Sequence, residues 1–133
     1  DMPAGEFYGF PSLDGAVVKL AEHTGGEAVG DPTHVDRSLH DTDVPRVSRF
    51  VEAVMPGLSP QPVRHAVCMY TRTPDGHFIV DRHPVNQRVV YGAGFSGHGF
   101  KFASVIGEIL ADLAVTGATS LPIEFLSAQR FSN

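Results

Sequence analysis

The clearest hydrophobic pattern in the chain lies near its carboxyl end. Gly117 follows this pattern at the position where a glycine commonly ends a helix. The apolar residues recur with the spacing of one stripe on an amphipathic helix. They are Phe102, Val105, Ile106, Ile109, Leu110, Leu113 and Ala114. The pattern predicts a long helix that starts near Phe102 and stops before Gly117.

A second helix is predicted in the middle of the chain. Thr42 or Asp43 can cap its amino end, and Pro56 with Gly57 ends it. Its apolar face consists of Val44, Val47, Phe50, Val51, Val54 and Met55.

Short apolar and β-branched runs predict strands. TPDG, a sequence typical of a type I turn, separates two of these runs, so 63–72 and 77–82 are expected to form a hairpin. The full set of predicted strands is 6–10, 16–23, 63–72, 77–82 and 88–93.

The remaining segments lack a regular period. Residues 24–42 are rich in Gly, Asp, Pro and Thr and predict a loop. Residues 121–133 are expected to pack as an extended arm. Helices and strands without repeats together predict an α+β fold.

Composition narrows the class of protein. A chain of 133 residues with 42% hydrophobic content can form a sizeable core. A net charge of -5 without a run of Lys or Arg argues against a nucleic-acid or anionic-membrane partner. No apolar run reaches the roughly 18 residues of a membrane span, and no signal-peptide pattern is present. The single cysteine, Cys68, excludes an internal disulfide and favours the cytoplasm.

Strand alternation places candidate side chains on common faces. Lys19 and His23 share one face of the predicted strand 16–23, and Cys68 and Tyr70 share one face of 63–72. Each also has an ordinary interpretation, because a strand lysine is usually solvated and a strand cysteine is usually buried. A metal site is disfavoured, since the closest group of possible ligands matches no known signature. That group is His77, Asp81 and His83.

Residues 92–102, GAGFSGHGFKF, join the last predicted strand to the long helix. A helix amino terminus attracts anions, and glycines allow a ligand to approach the backbone closely. With Lys101 in the first turn, this joint predicts a positive pocket for a carboxylate or an anionic cofactor ring. Alternatively, the glycines only allow close packing and Lys101 points into water. The motif is not the GxGxxG of a dinucleotide-binding fold.

Four segments carry a family resemblance: YGFPS, VVKLAEHTGG, AVCMYTRTPDGHFIVDRHP and GFSGHGFKFASVIGEILADLAVTG. In this order they resemble the carboxy-terminal third of the monomeric sarcosine oxidase and N-methyltryptophan oxidase family. These bacterial flavoenzymes oxidise secondary amino acids. The amino-terminal, FAD-binding portion of the family has no counterpart in this sequence, and the opening DMPAGEF without an initiating methionine is expected of a piece of a longer protein.

The resemblance implies specific site residues. It implies that FAD is attached through a thioether to Cys68, that Lys19 promotes the reaction with oxygen and that His23 lies in the active site. Tyr8 and Tyr70 are implied to line the substrate cavity. The segment that is implied to face the flavin is Gly97, His98, Gly99, Phe100 and Lys101, of which Lys101 also binds the substrate carboxylate.

The resemblance also implies an architecture and a reaction. Residues 1–87 would belong to a catalytic domain with a mixed, largely antiparallel sheet, and 88–133 would return to the flavin domain. The complete enzyme would oxidise a C–N bond with oxygen, giving hydrogen peroxide and, from N-methyl substrates, formaldehyde. Sarcosine, N-methyltryptophan and pipecolate-like amines all remain candidate substrates, and this chain alone is expected to be inactive. The rival interpretation is a noncatalytic binding or regulatory module derived from the same fold.

Overall fold

The computed structural model describes residues 5–23 and 26–132. The start of the predicted loop, residues 24–25, and the last residue of the predicted arm lie outside the described residues. The chain divides into two compact units, Asp1–Cys68 and Met69–Asn133. In its described residues each unit contains one α-helix and one two-stranded antiparallel sheet, which agrees with the predicted α+β class. Within the described ranges, no helix has the length and apolar content needed to cross a membrane.

The first unit pairs two short strands and packs a helix against them. Strand β1 (Phe7–Phe10) is antiparallel to β2 (Lys19–Glu22), and α1 (Val44–Val54) contacts β2. The predicted strands 6–10 and 16–23 and the predicted helix are therefore confirmed, although β2 is shorter than predicted. Asp43 precedes α1, but within the described residues no side chain caps the helix.

The helix covers one face of the β1–β2 sheet. The Phe7 ring stacks on the Phe50 ring of α1 with centroids 4.2 Å apart. The Arg46 guanidinium forms an ion pair with the Glu22 carboxylate at 2.5 Å. Phe7 and Glu22 are directly opposite each other in the strand pair, so their side chains share a face. Side chains that alternate with them project from the other face.

The second unit is built on a different strand pair. Strand β3 (Ile79–Arg82) is antiparallel to β4 (Val90–Ala93), and α2 (Ala103–Val115) packs against both strands. A short 3-10 turn, Phe100–Phe102, precedes α2, and Gly117 ends it with a positive φ of 84°. The buried core comprises Phe78, Val80, Ile106, Ile109, Leu113 and Leu126. The predicted long helix is confirmed.

The predicted hairpin of 63–72 with 77–82 is wrong. TPDG does turn, since the Gly76 N–H donates to the Thr73 carbonyl at 3.2 Å, but no strand is formed in 63–72. Instead, the Val67 carbonyl accepts a hydrogen bond from the Arg37 guanidinium, and the Thr71 carbonyl accepts one from the Ser96 N–H. Strand β3 pairs with β4.

The tail, residues 121–132, is not the extended arm that its lack of periodicity suggested. It forms two 3-10 turns, Glu124–Leu126 and Ala128–Phe131. Leu126 is buried in the core. The Asp81 carboxylate accepts hydrogen bonds from the Ser127 hydroxyl and the Ala128 N–H, each at 2.8 Å. Turns of three and four residues are too short to produce a hydrophobic period.

An ion pair fixes the end of the tail. Arg130 Nε donates to Asp75 at 2.7 Å, and Arg130 Nη2 donates to the His77 carbonyl at 3.0 Å. The Arg130 guanidinium holds the pKa of the Asp75 carboxyl well below its usual range. A carboxyl with a lowered pKa contributes stability above its unfolded-state pKa of about 4, and this contribution is lost as the pH falls below that value.

Replacing Arg130 with Gln should therefore loosen the tail. At pH 7 we expect faster amide hydrogen exchange for residues 124–131 of the intact protein, measured as protection factors by mass spectrometry. The difference from wild type should shrink as the pH falls below about 4. Arg88→Gln, at an exposed side chain, is the matched control. Equal protection of the tail in wild type and Arg130→Gln at pH 7 would contradict the role of the ion pair.

Candidate functional site

The face of the β1–β2 sheet that α1 does not cover carries a cation surrounded by rings. The Lys19 Nζ lies 5.5 Å from the centroid of the Tyr8 ring and 5.3 Å from that of Phe10. The Tyr8 ring also meets the His23 ring edge to face, with centroids 6.1 Å apart. We call Tyr8, Phe10, Lys19 and His23 the Lys19 cluster. The predicted common face of Lys19 and His23 is confirmed, because both contact the same tyrosine ring.

A backbone hydrogen bond and an ion pair hold the strand that carries the Lys19 cluster. The His23 N–H donates to the Glu6 carbonyl at 2.8 Å, which extends the strand pairing past the end of β2. Directly before His23, Glu22 is held by Arg46 of α1. The helix thus fixes the strand that carries Lys19 and His23 without touching the open face.

The cluster joins positive charge to flat apolar surface. Aromatic faces attract a cation through their quadrupole, and they offer stacking area to a planar ligand. Lys19 is exposed, Tyr8 is half-buried and the Phe10 side chain is 58% exposed. Such a surface suits a flat ring system that becomes negatively charged, or a small anion formed beside it.

Cys68 lies at the end of the first unit and is exposed. Its segment is irregular, so the predicted common strand face with Tyr70 has no basis, and the alternative of a buried core thiol is wrong. The neighbouring residues are held instead by Arg37, whose Nη1 donates to the Val67 carbonyl at 3.2 Å. The His65 Nε2 lies 2.9 Å from the Arg37 carbonyl oxygen. The thiol is accessible on an anchored segment.

The glycine joint of the second unit is built around close contacts. Gly97 has a positive φ of 83°, and a Cβ placed there would lie only 2.8 Å from Cε2 of Tyr70. Ser96 also has a positive φ, of 51°, and its N–H donates to the Thr71 carbonyl at 3.0 Å. Only glycine lets the Tyr70 ring approach the backbone in this way. The structure thus brings two predicted site residues, Tyr70 and Gly97, into contact.

Two other joint residues lie beside apolar rings, although His98 is itself exposed. A Cβ at Gly99 would lie 2.6 Å from the Phe95 side chain, so Gly99 serves close packing, as the structural alternative proposed. The His98 ring lies 4.9 Å from the Phe78 ring. His98 also lines an apolar cavity of about 300 Å³, together with Phe102 and the inner face of α2.

Lys101 and Phe100 are at the exposed edge of the joint. Both lie in the 3-10 turn Phe100–Phe102, which directly precedes α2. Lys101 is therefore not in the first turn of the α-helix itself. Phe100 is 96% exposed, and the Lys101 Nζ lies 5.6 Å from the centroid of the Phe102 ring. Within the described residues no side chain caps α2, so the joint keeps the positive end of a helix beside a lysine.

The histidines do not assemble a metal site in the part of the chain that the structure describes. Asp81 is engaged by the tail, and His83 Nδ1 accepts from the Val85 and Asn86 N–H groups. No group of three or more His, Cys, Asp or Glu side chains there could hold a metal ion.

Phe10 is the member of the Lys19 cluster that was not predicted, although its two-residue spacing from Tyr8 places both rings on one strand face.

Gly97→Ala should be costly because it combines a positive φ with a clash against Tyr70. We expect a loss of about 1–3 kcal/mol of unfolding free energy. Gly107→Ala is the matched control, since nothing lies within 4 Å of its Cβ position in α2. A gain of about 0.5–1 kcal/mol is expected there from helix propensity. Denaturant unfolding of the intact protein measures both, and equal stability of the two variants would contradict the assigned packing.

Comparison with known proteins defines the family. Residues 1–113 match the family described as DAO, FAD dependent oxidoreductase. The chain is 45% identical to a monomeric sarcosine oxidase of Arthrobacter sp. (strain TE1826), over 98% of this chain and 34% of that protein. It is 41% identical to the peroxisomal sarcosine oxidase of Homo sapiens, over 98% of this chain and 32% of that protein. An N-methyl-L-tryptophan oxidase of Salmonella enteritidis PT4 (strain P125109) is 34% identical, over 99% of this chain and 36% of that protein.

The chain spans about a third of the length of these relatives. The family match nevertheless covers well over half of the chain, including the Lys19 cluster, Cys68 and the glycine joint. This chain belongs to the FAD-dependent oxidoreductase family.

Proposed function

We propose that the chain is the carboxy-terminal segment of a covalent-FAD oxidase of secondary amino acids. The complete enzyme would act on an N-methyl amino acid such as sarcosine or N-methyltryptophan and on oxygen. It would produce hydrogen peroxide and, from N-methyl substrates, formaldehyde. The observation that carries this proposal is the identity of 45% and 46%, over 98% of the chain, with two monomeric sarcosine oxidases.

The residues of this chain fit a covalently attached flavin. Cys68 is the single thiol in the sequence and is exposed, as the formation of a thioether requires. The Lys19 cluster offers stacking area beside a cation, which suits a ring that gains negative charge on reduction. FAD, when bound, would supply the two-electron acceptor for oxidation of the substrate C–N bond. The missing amino-terminal portion would bind the rest of the cofactor.

We assign separate roles to the two ends of the Lys19 cluster. The Lys19 ammonium would stabilise negative charge on oxygen, since a preorganised cation acts most strongly where charge develops. His23, whose ring meets the Tyr8 ring edge to face, would orient the substrate. Tyr8 contacts both residues and would line the substrate cavity between them.

The glycine joint would also contribute to substrate and cofactor binding in the complete enzyme. Lys101 would bind the substrate carboxylate, and its exposure at the start of a helix supports this role. Tyr70, packed on Gly97, would form part of the cavity wall. The backbone of Gly97, His98, Gly99 and Phe100 would face the flavin.

The family resemblance implies the domain assignment, in which residues 1–87 would belong to the catalytic domain and 88–133 to the flavin domain. This boundary falls within the second compact unit, between the paired strands β3 and β4. Phe100 is 96% exposed and Val115 is 84% exposed, and an apolar cavity opens beside α2. Surfaces of this kind usually contact another protein segment, here the amino-terminal FAD-binding portion of the same enzyme. The complete enzyme would work in the cytoplasm.

The covalent attachment is tested by mass and colour. After acid precipitation, the wild-type enzyme should remain yellow, and its intact mass should include FAD. Cys68→Ala should lose the mass adduct and release its flavin on precipitation, because no other thiol of this chain can replace it. Absorbance before precipitation controls for flavin that is bound without a covalent bond. Active wild-type enzyme that releases all its flavin in acid would remove the covalent claim, whereas an intact protein that never takes up flavin would favour a noncatalytic module.

A further inference from the structure

We propose that Phe10 is a positioning residue for the reaction with oxygen. Its ring, together with that of Tyr8, would hold the Lys19 ammonium in one place. This inference rests on the proposed oxygen-activating role of Lys19 and adds a residue that determines how well Lys19 performs it.

The strand register brings Phe10 and Lys19 together. They are directly opposite each other in the β1–β2 pair, so their side chains leave the sheet side by side. The Lys19 Nζ lies 5.3 Å from the Phe10 ring centroid and 5.5 Å from that of Tyr8. The two rings are nearly perpendicular, at 89°, with centroids 6.2 Å apart. Two perpendicular faces restrict the ammonium in two directions.

The location of Phe10 is not explained by core packing. The ring is 58% exposed and lies on the face opposite α1, whereas Phe7 on the same strand packs against Phe50. A large apolar side chain on an open face contributes little to the hydrophobic core of this unit. The ring and cation contacts of Phe10 are with Tyr8 and Lys19.

Aromatic rings attract a cation without offsetting its positive charge or accepting its strong hydrogen bonds. A carboxylate partner would offset the positive charge of Lys19 and accept its hydrogen bonds. In the part of the chain that the structure describes, Lys19 forms no ion pair, and rings provide the attraction. The ammonium therefore keeps its charge, and its three N–H groups stay available for an anion.

The reaction requires charge stabilisation at one point. In the proposed reaction, oxygen would take two electrons from reduced FAD and two protons to give hydrogen peroxide, and it would become anionic after the first electron. Lys19 exchanges no electrons in this step. A fixed cation stabilises the developing anion without first having to be ordered, so the ring contacts would appear in the rate of reoxidation.

Fluorination of the Phe10 ring tests the contact with little change in shape. Fluorine atoms withdraw electron density from the ring face and progressively weaken its attraction for a cation. Phenylalanines with one, three and five fluorines would be incorporated at position 10 of the full-length enzyme. Stopped-flow absorbance would follow flavin reduction by sarcosine without oxygen, and reoxidation after mixing with oxygen. The rate constant for reoxidation should fall stepwise, by about tenfold with five fluorines, while reduction should change less than twofold.

Nuclear magnetic resonance gives a measure of position that is independent of activity. In enzyme labelled with ¹³C at the lysine ε carbons, the Lys19 ε-methylene protons should be shifted upfield by the ring currents of Tyr8 and Phe10. Lys19→Met identifies the signal by its loss. Phe10→Leu should move the signal back toward the ordinary lysine position, and Phe10→Tyr should retain the shift.

Two comparisons separate the possible failures. The same fluorination at Phe7, on the opposite face, is the matched control and should leave the ratio of the two rate constants unchanged. If Lys19→Met slows reoxidation selectively but the Phe10 series is flat, Phe10 has no positioning role and the proposed function of Lys19 stands. If Lys19→Met slows both steps equally or neither, the oxygen role of Lys19 and the inference about Phe10 are both overturned.

Discussion

Helix α1 packs against only one face of the β1–β2 pair, and the character of the candidate site depends on this one-sided contact. The stacking of Phe7 on Phe50 and the ion pair of Glu22 with Arg46 fix the sheet from behind. Side chains alternate along each strand, so the same contact obliges Tyr8, Phe10 and Lys19 to project from the open face. A cation on an exposed aromatic surface is therefore a consequence of how the helix is attached.

In the second unit, a hydrophobic core supports the glycine joint. Its core holds α2 and the tail against β3 and β4, with Val80 buried at the centre. On this base the glycine joint adopts a positive φ at Ser96 that a non-glycine residue in an isolated loop would rarely maintain. The packing of Tyr70 on Gly97 shows that the joint is shaped by its neighbours as well as by any ligand.

The sequence predicted the features that depend on local periodicity. Both helices follow from their apolar spacing, and the common face of Lys19 and His23 follows from strand alternation. The partner of β3 was mispredicted, because the TPDG turn is compatible with a hairpin but the irregular segment before it accepts hydrogen bonds from Arg37 and Ser96 instead. The tail was missed because its anchors, Asp75 and Asp81, are more than 45 residues away in sequence.

For the candidate site, the sequence predicted individual residues but not the contacts between strands or the exposure of Cys68. Lys19 was identified, but its contact with Phe10 depends on the register between two strands, which alternation within one strand does not determine. The exposure of Cys68 was not predictable from a strand pattern, because its segment has no regular structure. Long-range hydrogen bonds determine both the conformation of that segment and that of the tail.

The most direct test is spectroscopic, on the full-length protein. Purified enzyme is mixed anaerobically with one equivalent per flavin of sarcosine or N-methyltryptophan, and the visible flavin absorbance is recorded before and after air is admitted. An oxidase of secondary amino acids should lose its absorbance with at least one of these substrates, then recover it in air with one hydrogen peroxide formed per flavin. A flavin-loaded protein whose spectrum is unchanged by either substrate and by a pipecolate-like amine would contradict the proposed function.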